Sequence, residues 1–569
     1  MRKKIIALAL TGVLASTTLL SACSNTKTEE IKAVASTDKY RNYYEIFVSQ
    51  FADSDGDGIG DINGITEKLD YLNDGDPNSG DDLGIDGIWL MPIMESDSYH
   101  KYDVIDYMSI EDDYGTMEDF EKLTKECDKR GISIIIDLVL NHTSSKNEWF
   151  LKAHEDVKKG DIEGEYSQYY SIPGDEGRAT GYSYQFFYDT PYSYEANFSG
   201  DMPELNLSNK KVREEIANIA KFWYEKGVDG FRLDAVKYFQ STETDGVEFL
   251  TWFMDEIDKI DKDLYVVGEN WDGNGKIAEY YKSDIDSQFN FSFSNGGGSK
   301  ILIAVNSKNA KTIFSVTKNW DELINEYNPN SIDSLFLSNH DTVRSGNSFK
   351  NNPVNAKMAA AAYMLLPGNS FIYYGEEIGL LSGTDNDATF RIPMVWDNDP
   401  KKDGTVLEPP NGVVLEQLKD WQPTKTTVEQ QADKNSLMRF YSEIIKLKLQ
   451  NPEIARGEIV KVIETPTGSV SGGLFKYKDS SLIVMHNLSD EEKVVEVSKD
   501  DLDYKGIRGQ LTASEPKGKD DDGNYIYSEA TLEDTMLTIP AKSTVILKWF
   551  LSFKFSVLLH KLALGSHIG

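Results

Sequence analysis

Eight short runs rich in β-branched and aromatic residues punctuate the chain between Tyr43 and Glu377. They are YYEIFVSQF (43–51), GIDGIWLMPI (84–93), ISIIIDLVLN (132–141), VDGFRLDA (228–235), LYVVGEN (264–270), DSQFNFSFS (286–294), DSLFLSNHD (333–341) and SFIYYGEE (370–377). Each is nearly continuous in apolar residues and turns polar at its C-terminal end, as expected of a strand covered on both faces in a parallel sheet. Amphipathic stretches such as MEDFEKLTKECDKRG (117–131) and KKVREEIANIAKFWYEKG (210–227) end in glycine and read as crossover helices. Eight such units in a row predict an α/β fold, a closed (β/α)8 TIM barrel over 39–454. An open doubly wound sheet is the alternative, and the even repeat favours closure.

One connection breaks the rhythm. Between the third and fourth runs, residues 143–207 are rich in Tyr, Ser, Gly and Asp and read as a small, loop-rich excursion. The insert leaves from the C-terminal end of a strand, where barrel enzymes build their sites. After an amphipathic helix near 436–450 the pattern changes to short alternating strands: GEIVKVIE, GGLFKYK, SLIVMHNL, KVVEVS and STVILKW. They predict a separate antiparallel β-domain over 455–550.

The two ends stand outside this pattern. Arg2, Lys3 and Lys4 precede an apolar run closing on Leu20-Ser21-Ala22-Cys23, so residues 1–22 read as an export signal. The tetrapeptide resembles a bacterial lipobox. That resemblance implies lipidation of Cys23, a tether over 23–38 and a cell-surface protein that meets the membrane only through its anchor. The alternative is an ordinary signal peptide with an incidental cysteine. Residues 551–569 are apolar and basic, too short and broken for a membrane span, and read as an atypical tail.

Composition narrows the function classes. The 569 residues carry 94 Asp+Glu against 59 Lys+Arg, a net charge of −35, which argues against a nucleic-acid partner. With 40% hydrophobic residues the chain can still form a full core. Only two cysteines, Cys23 and Cys127, exclude a disulfide framework, and seven histidines leave little room for His-based metal chemistry.

Candidate chemistry sits where the barrel strands end. Asp234 closes the fourth run, Glu269 the fifth and Asp341 the seventh. Carboxylates on neighbouring strands facing across a cleft suit a retaining glycoside hydrolase, one attacking the sugar and the other protonating the leaving oxygen. Arg232 precedes Asp234 by two residues and points the same way, which keeps that carboxylate ionised. Val267 and Trp271 give Glu269 a less polar setting, which raises its pKa. Asn141 and His142, with Asn339 and His340, offer neutral donors for sugar hydroxyls.

The segments DLVLNH (137–142), GFRLDAVK (230–237), VVGEN (266–270) and SNHD (338–341) resemble, in order, the four signature regions of the α-amylase family of glycoside hydrolases. MPELN (202–206) resembles that family's additional region. The resemblance covers about 39–550 and implies a (β/α)8 catalytic domain, an inserted domain B and a C-terminal β-sandwich. It implies Asp234 as nucleophile, Glu269 as general acid/base and Asp341 as transition-state stabiliser. Arg232, His142 and His340 would hold the sugar, Tyr102 would stack beneath it, and Lys237 would be a further substrate-binding residue. The substrates implied are α-1,4-glucans, as polysaccharide or maltooligosaccharide. An α-glucosidase, oligo-1,6-glucosidase or glucanotransferase stays open, and so does a sugar-binding lipoprotein without turnover.

Two positions depart from the family pattern: Tyr238, where many α-amylases have His, and Lys101, where glycine is common. Both are expected near leaving-group or outer sugars. In relatives that trim non-reducing ends, residues matching Asp103 and Arg391 pair and wall off the cleft. Pairing here would mean end-trimming, and separation would leave internal bonds accessible; the inserted domain and MPELN favour internal cuts. Finally, DSDGDGIGD (53–61) sets Asp53, Asp55, Asp57, the Ile59 carbonyl and Asp61 at alternate positions, as a loop of hard oxygen ligands for Ca2+ requires. The family carries a divalent-ion site in the matching loop. An Asp/Gly-rich turn without metal is the alternative, and a second Ca2+ at Asn141 and Asp201 is left open.

Overall fold

The computed structural model describes residues 32–548 apart from 174–177, 179–180, 242–243, 295–298, 350–351, 400–403, 407, 411 and 501–505. The expected export signal, Cys23 and the 551–569 tail lie outside the described residues. Residues 33–38, expected as the end of a flexible tether, are instead fastened to the folded chain. Asn78 bonds the amide and carbonyl of Ala33 at 2.9 and 3.2 Å, and Arg456 pairs with Asp38 at 2.7 Å.

Eight parallel strands close into a barrel: β1 Asn42–Ile46, β2 Gly87–Leu90, β3 Ser133–Leu138, β4 Gly230–Leu233, β5 Tyr265–Gly268, β6 Ser287–Phe289, β7 Ile332–Phe336 and β8 Asn369–Tyr373. Each coincides with one of the eight apolar runs, and each pairs with its neighbour in sequence, β8 returning to β1. The strand period of two sorts the side chains. Tyr43, Trp89, Ile135, Tyr265, Val267, Phe289 and Phe371 fill the barrel interior, with the Tyr43 ring stacked on Phe371 and Tyr265 at 4.8 and 5.4 Å. Tyr44, Ile88, Ile134, Ile136, Phe231 and Val266 face the surrounding helices. Gly87 is required beside Tyr43, because a Cβ there would lie 2.4 Å from the ring. Counting two residues on from Tyr43, Ile135 and Val267 of the interior layer, and from Arg232 on β4, reaches Glu45, Asp137, Glu269 and Asp234 toward the C-terminal rim.

The helices follow the expected signals. Met117–Arg130 starts at a Thr116–Asp119 capping box and stops at left-handed Gly131, φ 72°. Between β3 and β4 the insert contains the helix Glu148–Lys158 and a hairpin of Tyr184–Phe186 with Ser193–Glu195, a more regular unit than the loop-rich excursion expected. It is stitched to the end of β3 by a bridge between His142 and Glu204.

The C-terminal domain is a sandwich of a five-stranded and a three-stranded antiparallel sheet. All five expected strands are present. Short additional ones, among them Gly506–Thr512 and Met536–Ile539, complete the sheets. In Ser480–Asn487 the alternation serves two cores. Ile483 and Met485 meet Leu537 and Ile539 of the smaller sheet, while Leu482 and Val484 join the core of the barrel domain.

Candidate active site

Arg232 on β4 is the buried cation of the site, 1% exposed. Its Nη1 reaches Asp137 Oδ1 on β3 and Asp234 Oδ1 on its own strand, each at 2.7 Å. The guanidinium also lies over the rings of Trp89 and Tyr102, at 5.2 and 5.7 Å. A buried charge is tolerated only when paired, and this one is paired twice. Asp137 lies inside the DLVLNH segment, yet nothing in the sequence reading gave it a role. A carboxylate at an inward position of a doubly covered strand requires a cation partner, and that was the available signal.

Asp341 follows β7 and is the most open of the three acids, its side chain 32% exposed. Burial alone would push it up, but His340 at 3.0 Å and Arg391 at 2.7 Å outweigh that and hold it well below the usual carboxylate range. His340 was expected as a neutral donor. Burial disfavours its cation, but Asp341 and Glu45, the latter 2.6 Å from Nδ1, prevail and push its pKa up to about 9. The correction comes from Glu45 on β1, which the sequence reading passed over. Tyr102 lies parallel to the His340 ring and bonds Nε2 at 2.7 Å and Asp137 at 3.1 Å, linking the Arg232 and Asp341 halves of the site.

Glu269 differs from the other two acids. Its carboxylate accepts the Ala235 amide at 3.0 Å and makes no ion pair among the described residues. Burial, aided by the charges of Asp234 and Asp341 and opposed by Arg232, pushes its pKa up to about 7. The amide is aimed by a left-handed Ala235, φ 52°, a conformation costly for a residue with a Cβ. A cleft of about 480 Å³ opens over Asp341 between Trp271 and Phe390.

Other expected residues divide. His142 is buried beside Phe198 at 5.2 Å, burial lowers its pKa, and Nε2 has no partner among the described residues, so a neutral ring is ready for a hydroxyl. Lys237 is exposed on the rim. Asn339, expected to face sugar, instead accepts the Asp341 amide at 3.1 Å within its turn. Asp103 and Arg391 do not pair: Asp103 accepts from Ser96 at 2.6 Å and from Ser98, while Arg391 serves Asp341 and Asp387.

In the 53–61 loop, carboxylate oxygens of Asp53, Asp55 and Asp61 lie within 4.8 Å of one another. Asp57, expected with them, instead accepts the Ile59 amide at 2.8 Å. Glycines at φ 85° and 99°, Gly56 and Gly58, curl the loop so that their amides meet Asp53 at 2.6 and 2.9 Å. Three hard, like-charged donors gathered this closely fit a Ca2+ ion.

Residues 45–457 match the alpha-amylase catalytic domain. The chain belongs to the α-amylase family. Alpha-amylase 3 of Dictyoglomus thermophilum is 37% identical over 460 residues, covering 79% of this chain and 85% of that protein. An oligo-1,6-glucosidase of Bacillus cereus is 28% identical over 544 residues, covering 80% and 92%. Among solved structures, Eubacterium rectale Amy13B shares 36% identity at a TM-score of 0.79, covering 92% of this chain and 97% of that one. The α-amylase from H. orenii shares 35% at 0.75, covering 90% and 100%. Within the α-amylase family the chain is an α-glucan hydrolase, and the structure explains one departure from the family pattern. Lys101 takes a left-handed φ of 65°, the conformation that favours glycine, and its buried ammonium is held by Glu111 and the Ser96 carbonyl, each at 3.0 Å. It is thereby turned away from the sugar position expected for it.

Proposed function

We propose that this chain cleaves internal α-1,4 bonds of starch-type glucans and maltooligosaccharides with retention of configuration. The observation carrying this reading is the distribution of cations among three acids on one rim. Asp234 is paired with Arg232 and Asp341 with Arg391 and His340, whereas Glu269 has a backbone amide alone. Glu269 is therefore the acid able to hold a proton near neutrality. Asp234 attacks the anomeric carbon as Glu269 gives its proton to the departing glycosidic oxygen, leaving a glycosyl ester on Asp234. Water then attacks that carbon while Glu269 takes its proton back, and the ester bond breaks to return the Asp234 carboxylate. Asp341, ionised throughout, faces the positive charge that grows on the ring.

Separation of Asp103 from Arg391 supports internal cutting, since neither is available to close the cleft with the other. The likeness to an oligo-1,6-glucosidase makes bond type the point to test. Hydrolysis of starch, maltotriose and isomaltose side by side does so. We expect an early fall in starch viscosity, α-configured first product and no isomaltose cleavage. Asp234→Asn should lose at least about a thousandfold in kcat. Binding of starch without release of reducing sugar would overturn the reading.

Two further properties belong to this proposal. Asp53, Asp55 and Asp61 would hold a structural Ca2+, which neutralises their mutual repulsion and ties the loop after β1 to the helix Ile62–Glu67, capped by Asp61. Cys23, from its Leu20-Ser21-Ala22-Cys23 context, would carry the lipid that anchors the exported enzyme to the cell surface. Labelled fatty acid incorporated by the wild type and not by Cys23→Ser checks the anchor.

A further inference from the structure

Lys101 stands between Tyr99 and Tyr102 in the loop that leaves β2 and runs toward the helix Met117–Arg130. Its backbone is left-handed, φ 65°, a conformation that glycine adopts freely and a residue with a Cβ resists. What lysine adds over glycine at this position is its side chain. That side chain is 9% exposed, and its ammonium donates to Glu111 Oε2 and to the Ser96 carbonyl, each at 3.0 Å. The same Glu111 oxygen accepts the Ser96 amide at 2.9 Å. Glu111 is anchored in turn by its own amide, which donates to the Ile93 carbonyl at 2.9 Å, three residues past β2. One buried ion pair thus ties both ends of the 96–101 loop to the root of the barrel. Such a pair adds little stability, because desolvating two charges offsets most of their attraction. It does impose one geometry, since a buried ammonium without its carboxylate is costly.

The strap has a tyrosine on either side of it. Tyr102, next in the chain, donates its amide to His100 Nδ1 at 3.1 Å, and its hydroxyl bonds His340 Nε2 at 2.7 Å. Tyr99, two residues before, lies 5.5 Å from the Arg391 guanidinium, accepts from its Nη1 at 3.2 Å and donates to Asp387 at 2.7 Å. His340 and Arg391 are the two groups that hold Asp341. The loop therefore supplies one tyrosine to each partner of the same acid, while the charge of Lys101 is spent on Glu111.

We propose that Lys101 is a positioning residue. Its ammonium, held between Glu111 and Ser96, sets Tyr99 and Tyr102 so that His340 and Arg391 present Asp341 to the reacting sugar in one fixed arrangement. Lys101 itself does not touch the glucan. The inference rests on Asp341 as the group facing the charge that grows on the ring. A site ordered before the sugar arrives needs no binding energy to order it, so loss of the strap falls on the chemical step.

The test follows kcat and KM on amylose for wild type, Lys101→Met and Lys101→Gly, with Tm measured for each. Lys101→Met keeps an apolar stem and removes the charge, and Lys101→Gly also frees the backbone. Both are expected to lower kcat by about 10–100-fold with KM within about twofold of wild type, the cost of misplacing groups around the chemistry. A Lys101→Gly protein as active as wild type, or a rise in KM alone, would overturn the proposal. So would a lower Tm with kcat unchanged, the result of a merely structural strap. In a double-mutant cycle, Lys101→Met with Tyr102→Phe should lose much less than the product of the separate losses, and losses that multiply overturn the link. If Lys101→Met does not fold, Glu111→Gln removes the carboxylate from the far side of the strap and should give the same loss of kcat.

A readout without turnover uses 13C-labelled histidine, of which the chain has seven. The His340 ring signal, identified by its disappearance in His340→Gln, should move in Lys101→Gly in the direction it moves in Tyr102→Phe. An unmoved signal overturns the proposal. A wild type that cleaves no glucan would end the proposed function, while the histidine signal still judges Lys101.

Discussion

Glu45 of β1 and His340, beyond the end of β7, meet at 2.6 Å inside the mouth of the barrel. With Asp341 on its other nitrogen, the imidazole is pushed up to about 9 by two carboxylates, against the burial that disfavours its cation. A raised histidine pKa adds stability that is fully present below the unfolded value of about 6.5 and is lost as pH rises through about 9. Urea unfolding followed across that window should show the decline. Glu45→Gln removes one of the two charges, so the decline should be smaller and end at a lower pH.

Glu269 sets a different limb. It must be protonated to serve as acid, so kcat/KM on amylose should fall as pH rises through about 7. Glu269→Gln should abolish that limb and cost about 10²–10⁴ in rate. A limb that survives the substitution would assign it to another group.

Asp137 is the hidden counterion of the site. Removing it leaves Arg232 buried with only one of its two carboxylate partners, and losing a partner of a buried pair costs about 3–5 kcal/mol. Asp137→Ala should therefore lower stability by about that amount in denaturant melts. Asp137→Asn, which keeps an acceptor for Tyr102, should lose less.

The 53–61 loop predicts dependence on Ca2+. At a free ion concentration about 100 times its Kd, binding to the folded state alone adds about 2.7 kcal/mol, so a chelator should lower Tm. Asp55 is exposed and its oxygen belongs to the cluster. Asp55→Ala should melt at the same temperature with chelator as without.

The barrel was legible because each strand is a nearly unbroken apolar run, and the rim acids because they end those runs. Lone polar residues inside the runs were harder to read. Glu45 and Asp137 look like interruptions of YYEIFV and IIIDLV until the strand period turns them toward His340 and Arg232. Lys101 was misjudged for a similar reason, since its left-handed backbone and its bond to Glu111 depend on a residue ten positions away. The same holds for the 53–61 loop, where alternation in sequence did not foresee that Asp57 stands apart from the cluster of Asp53, Asp55 and Asp61. In the C-terminal domain, Gly518–Lys519 and Tyr525–Ile526 are two-residue strands with exposed or half-exposed side chains, too short to leave any alternation.

The strand Ser480–Asn487 faces two cores, and His486 lies against Phe314 of a barrel helix at 5.2 Å. The terminal sandwich thus doubles as cladding for the enzyme's flank. Cutting the polypeptide at the boundary near residue 457 would leave a raw greasy scar on the remaining piece, prone to clumping before any sugar could be offered to it.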